Sequence, residues 1–167
     1  MLDLETYQQT RWFQSLPSDL QELLKLTLVL YHQQKESDEE LSDYSFLVFT
    51  AGKVYEGFLK YYLLNLGLIN QELYESHRFR IGRALNPDVK FSQRDEYWLY
   101  DNLANRCSVE LAKQIWSAWL ECRNRIFHYF PGKVSQLSLL EAKAKIEQIV
   151  AAIEAATSCQ LQNHAAS

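Results

Sequence analysis

Arg123, Asn124 and His128 lie close together in the run Arg123-Asn124-Arg125-Ile126-Phe127-His128, and these side chains could act on a phosphodiester. Cutting an RNA strand through its own 2′-hydroxyl needs a base for that proton, an acid for the departing 5′-oxygen, and positive charge beside the phosphorus. A histidine titrates near neutral pH and can serve as acid or base. An arginine stays charged and meets phosphate oxygens through a fixed fork of donors.

Spacing limits how these groups can meet. On an ideal helix, residues five apart point about 140° from each other and lie about 7.5 Å apart along the axis. Arg123 and His128 would then not share a face, so one side chain bends round or a second chain completes the site. Asn124 and His128, at i and i+4, would be neighbours, and Asn124 could orient the imidazole. The ordinary alternative is a histidine complementing a helix C-terminal dipole, with Arg123 and Arg125 as surface charges.

Glu56 is a second candidate. It could form a surface ion pair with Lys60 or Lys53, but its neighbours Tyr55, Gly57, Phe58 and Leu59 predict an apolar setting. A carboxylate there is costly without a partner, and Arg123 or His128 could supply one. Arg78-Phe79-Arg80-Ile81-Gly82-Arg83 combines guanidinium groups, an aromatic ring and a glycine, which suits contact with a nucleic-acid strand or, equally, a packed connector. Trp98, Trp116 and Trp119 could stack bases, although core packing is the commoner use of such residues. The sequence contains no Gly-rich phosphate loop, His-Glu-x-x-His or paired-cysteine motif, so neither a metal nor another cofactor is expected.

Helices must position these residues. The chain has 167 residues, 47% of them hydrophobic, with only five Gly and three Pro, which predicts one all-α domain over 1–160 and a frayed tail over 161–167. An opening helix is expected from Leu4 to Phe13. A second should start in a Ser18/Gln21 capping box and carry Leu20, Leu23, Leu24, Leu28 and Leu30. The run from Asp43 to Leu66 is apolar nearly all round and reads as the central helix, ended by Gly67. Residues 67–93 read as an irregular loop with a turn of helix at Gln71 to Ser76. Helical pattern returns at Arg94 to Asn105, with Tyr97, Trp98 and Leu103 buried. A helix from Val109 to His128 follows Ser108, and Phe130-Pro131-Gly132 breaks it. A Ser138/Glu141 capping box opens the last helix, through Ile146, Ile149, Val150 and Ile153. The expected architecture is an antiparallel bundle of four to five helices.

Cys107, Cys122 and Cys159 are odd in number and widely spaced, which reads as reduced core thiols. The start lacks a signal-peptide pattern and no run is long enough to span a membrane, so the expected location is the cytoplasm. The net charge of −4 argues against tight non-specific nucleic-acid binding. It hides an asymmetry, because residues 1–76 sum to −7, residues 77–133 to +4 and residues 134–167 to −1. The positive charge surrounds the Arg123–His128 run.

That run, followed by Tyr129-Phe130-Pro131, resembles the R-x4-H signature of the HEPN superfamily in its form with Asn after the Arg. Within it the chain looks most like the HEPN domain of RNase LS-type toxins. Their site includes a basic residue and a glutamate three apart on an earlier helix, and Lys53-Val54-Tyr55-Glu56 matches, with Lys in place of Arg. The resemblance covers about residues 18–155, without the extra N-terminal domains of those toxins. It implies a metal-independent endoribonuclease of toxin or defence type, a homodimer whose facing helices build one RNA cleft, and 2′,3′-cyclic phosphate products. His128 would be the acid/base, Arg123 would hold phosphate, Asn124 and Glu56 would orient them, and Lys53 and Arg125 would contact the strand, with Arg78, Arg80 and Arg83 as further contacts. A non-catalytic module binding RNA or a protein partner such as an antitoxin is the alternative. HEPN toxins paired with nucleotidyltransferase antitoxins extend the motif to a final Tyr. Phe130 occupies that place here, so adenylylation there is not expected.

Overall fold

The computed structural model describes residues 2–128, 131 and 136–165, and all of their regular structure is helical. The elements are α1 (Leu4–Gln8), α2 (Arg11–Gln14), α3 (Ser18–Glu36), α4 (Ser45–Asn65), α5 (Gln71–Glu75), α6 (Ile81–Ala84), a 3₁₀ turn (Phe91–Gln93), α7 (Tyr100–Arg106), α8 (Val109–Trp119), a π-helical segment (Leu120–Asn124), α9 (Arg125–Phe127) and α10 (Leu139–Ala165). The expected helical bundle is found. No helix among the described residues is long and apolar enough to cross a membrane.

The central position of α4 follows from its composition. Leu47, Val48, Ala51, Val54, Tyr55, Leu59, Tyr62 and Leu63 are all fully buried, and the helix packs against both α3 and α10. Hydrophobic burial on this scale is the main stabilising contribution to such a bundle. Two polar ties fix the helix register. The Tyr55 hydroxyl donates to the Ile115 carbonyl at 2.9 Å, and the Thr27 hydroxyl of α3 donates to the Thr50 hydroxyl at 2.8 Å. Gly67, at φ +69°, ends the run after α4 as expected, because only glycine adopts that conformation cheaply. The remaining stripe of α4 faces outward and carries Phe46, Phe49, Lys53, Glu56 and Lys60 at helical spacing.

Several expectations are corrected. The opening helix is two short ones, because the Thr10 hydroxyl donates to the Tyr7 carbonyl and also caps α2 by accepting from the Phe13 N–H. Ser18 is inside α3 rather than its cap, and Gln21 donates to the Leu16 carbonyl instead. The helix expected at Arg94 starts only at Tyr100. Before it, the Trp98 indole donates to the Asn86 carbonyl at 2.8 Å and the Leu99 N–H to the Ala84 carbonyl at 2.7 Å, so these groups are committed to the loop. Tyr97, expected inside, is 47% exposed. The last helix does begin in the Ser138/Glu141 capping box, and it runs to Ala165. Tyr129, Phe130 and Gly132 of the expected helix break lie outside the described residues.

The cysteine reading is also corrected: Cys107 and Cys159 form a disulfide, 52 residues apart in sequence. It ties the α7–α8 junction to the distal part of α10. Cys122 is the buried free thiol, and burial pushes its pKa up to about 12.

Candidate functional site

The helix holding Arg123 is not continuous. α8 ends at Trp119, and the chain then takes one wider π turn, a feature that recurs at functional sites because it redirects neighbouring side chains. Here the turn divides its residues between two helices. Glu121 and Cys122 face α10: the Cys122 thiol donates to Gln148 Oε1 at 3.1 Å, while the Gln148 amide and the Lys145 ammonium both donate to Glu121 Oε2 at 3.3 Å. The Gln148 hydrogen bond, ahead of the Lys145 contacts, holds the Glu121 carboxyl below its ordinary range. Arg123 instead faces α4.

There Arg123 Nη2 donates to Glu56 Oε2 at 2.9 Å, and its guanidinium lies 4.6 Å from the centre of the Trp119 ring. Both partners are partly exposed, 31% for the Arg123 side chain and 36% for Glu56, so the ion pair contributes no more than about 1 kcal/mol and the ring contact a similar amount. The energy is small, but the orientation is defined. Glu56 engages the guanidinium through one donor, at Nη2. Arg123, one of the partners considered for Glu56 in the sequence, pairs with it in the structure.

Lys53 is exposed one turn before Glu56, with its ammonium 5.6 Å from the centre of the Phe49 ring. The edge of Phe49 meets Phe127 at 5.3 Å between centroids. Close packing of α9 on α4 depends on Gly52. A Cβ there would lie 2.8 Å from Phe127 Cε2 and 3.0 Å from Cζ, a clash that must displace the ring. Gly52→Ala is expected to cost about 1–3 kcal/mol through this overpacking, read as a lower urea midpoint at unchanged slope. An unaltered midpoint would mean that α9 does not rest on α4.

His128 departs from the predicted arrangement. The helix ends at Phe127, and His128 has extended backbone (φ −102°, ψ 130°) with an exposed side chain. The helix thus stops one residue short of the expected bound at His128. Asn124 is half-buried at the end of the π turn, and Arg125 is exposed. The structure thus brings together Arg123, Glu56 and Trp119, with Lys53 beside them on α4, and places His128 directly after α9.

The tryptophans are mainly core residues: Trp119 is 3% and Trp98 9% exposed, and Trp116 is half-buried. Trp119 still has a site role as the platform under Arg123, which its i,i+4 spacing from Arg123 could have signalled. Phe79, considered for strand contact, is buried at 5%. Arg78 and Arg80 beside it are exposed, whereas Arg83 is committed to Asp95 at 2.8 Å and to the Gln93 carbonyl at 2.9 Å. These arginines line a cleft of about 560 Å³ over α5 and α6. It is separate from the residues around Arg123. Among the described residues, no three His, Cys, Asp or Glu side chains converge as metal ligands.

No protein-family model, curated protein or solved structure matches this chain.

Proposed function

We propose that the chain is a HEPN-type endoribonuclease that needs no metal ion and works as a homodimer. The observation carrying this reading is the Arg123–Glu56 pair on the Trp119 ring, which aims a guanidinium from the R-x4-H segment using a carboxylate 67 residues away in sequence. In this reading His128 takes the 2′-hydroxyl proton, the 2′-oxygen bonds to phosphorus, and the bond from phosphorus to the 5′-oxygen breaks. The histidine of the second protomer protonates the departing 5′-oxygen. The products are a 2′,3′-cyclic phosphate and a 5′-hydroxyl. Arg123 stabilises the charge growing on the phosphate oxygens, Asn124 and Glu56 orient the site, and Lys53 and Arg125 hold the strand. The exposed position of His128 suits a cleft shared between two chains. The proposed enzyme is of toxin or defence type and acts on RNA in the cytoplasm.

The test is incubation of purified protein with total RNA in EDTA, followed by mapping of fragment ends. Cyclic phosphate ends support the reading, and intact RNA opposes it. Arg123→Lys keeps the charge and loses the fork. It should lower cleavage about ten- to a hundredfold, the worth of one charge-assisted hydrogen bond, mainly in kcat.

One observation favours a second reading, a non-catalytic module that binds RNA or a protein partner such as an antitoxin. Leu26 and Val29 on α3 and Phe46 and Phe49 on α4 are 41–50% exposed on two helices packed together, an apolar surface of the kind partners cover. RNA affinity without turnover would identify that role.

A further inference from the structure

The cleft over α5 and α6 has the ingredients of a ligand site that the Arg123 constellation does not use. Its floor is apolar: Ile69, Phe79 and Ala84 are buried beneath it. Its rim carries Arg78 and Arg80, both exposed, and the ring of Tyr97, 47% exposed. Among the described residues no carboxylate pairs with Arg78 or Arg80, although the chain as a whole is acidic. Arg83 differs, since Asp95 and the Gln93 carbonyl hold it as part of the wall. Two uncommitted guanidinium groups, an available aromatic face and an apolar floor complement a phosphate joined to a flat ring. The volume, about 560 Å³, lies in the range of small-molecule pockets.

We propose that this cleft binds one nucleotide unit, its base stacked on Tyr97 and its single phosphate held by Arg78 and Arg80. Geometry and charge limit the number of phosphates. Arg78 and Arg80 supply the donors for one phosphate group, while Glu72 and Glu96 in the same cleft would repel the further charges of a triphosphate chain. The unit could come from a free mononucleotide or from one residue of an RNA strand, and the recognising chemistry is the same. The site is independent of cleavage at Arg123. Gly82 of α6 nevertheless packs directly against the Trp119 indole that supports Arg123, so an RNA strand seated in the cleft would rest on the element that backs the candidate site.

Calorimetric titration of the full chain with AMP, adenosine, inorganic phosphate, ATP and an uncleavable 2′-O-methyl hexanucleotide tests the site without requiring turnover. Wild type should bind AMP saturably, more tightly than adenosine or phosphate and no more weakly than ATP. The Arg78→Ala/Arg80→Ala double variant and Tyr97→Ala should each weaken AMP binding at least about tenfold, with Tyr97→Phe close to wild type. Hexanucleotide binding much tighter than AMP, and weakened by the Arg78→Ala/Arg80→Ala double variant, would assign the site to an RNA strand; AMP binding weakened by that variant with hexanucleotide binding unchanged would assign it to a free nucleotide; either result upholds it. Absence of saturable AMP binding, or unchanged affinity in both weakened variants, would overturn it. So would phosphate binding as tightly as AMP, which would reduce the cleft to an anion patch.

Discussion

His128→Ala should reduce RNA cleavage in EDTA by about 10²–10⁴-fold while leaving the thermal transition nearly in place. Both halves of this expectation rest on position. The residue follows the end of α9 and its side chain is exposed, so removing the imidazole opens no cavity. A histidine that merely complemented a helix terminus would behave in the opposite way. Its loss would move melting in a pH-dependent manner and leave cleavage alone. The comparison needs initial rates and melting curves for wild type and variant from one preparation, with fragment ends mapped in each. Cleavage at the wild-type rate by His128→Ala would sink the catalytic proposal. A further check uses the dimer: if two histidines share one site, mixing wild type with excess His128→Ala chains should lower cleavage below the share of wild-type chains, because each mixed pair holds only one of the two histidines.

Much of this geometry was legible in the sequence where one physical rule dominated. The all-round apolar run of α4 could satisfy itself only as a central helix, and the spacing of Ile146, Ile149, Val150 and Ile153 fixed the buried side of α10. Glu56 was legible only in part: Arg123 pairs with it, as the sequence allowed, but it lies on the outward stripe of α4 at 36% exposure, so the expected apolar setting is not what demands the cation. What the sequence hid depends on tertiary partners. The π turn has no local signal, since Leu120-Glu121-Cys122-Arg123-Asn124 would continue an α-helix equally well. Gln148 and Lys145 on one side and Glu56 on the other make the wider turn worthwhile. Helical spacing therefore ran the helix through His128, one residue past its end at Phe127. Tyr97 and Trp98 illustrate the same limit: adjacent aromatic residues in a helix-like pattern end up on opposite sides of the surface because loop carbonyls capture the Trp98 indole. The odd cysteine count was misleading too. Cys107 and Cys159 meet only because α10 runs back across the α7–α8 junction.

That disulfide leads to the largest expected change in stability. Closing a loop of 52 residues removes chain entropy from the unfolded state worth about 4 kcal/mol. For a domain of this size, losing it should lower Tm by roughly 8–16 °C. Cys159→Ser and reduction by dithiothreitol should have the same effect and should not add, because they remove one link. Cys122 is the internal control. Its thiol donates to Gln148 and its raised pKa keeps it protonated, so it should resist alkylation in the folded protein and take no part in exchange. The link also bears on the site, since α10 carries the Gln148 and Lys145 that hold the π turn beneath Arg123. Loosening the distal part of α10 should therefore lower the temperature at which RNA cleavage is lost by about the same amount as Tm, without changing the rate at 25 °C. In a cytoplasm that reduces the pair, the less stable form would be the working one, which makes oxidation a stabilising event for this protein. Coincident melting curves for oxidised and reduced protein would show that the link contributes nothing. A rate change at 25 °C would instead place the disulfide in control of the site itself.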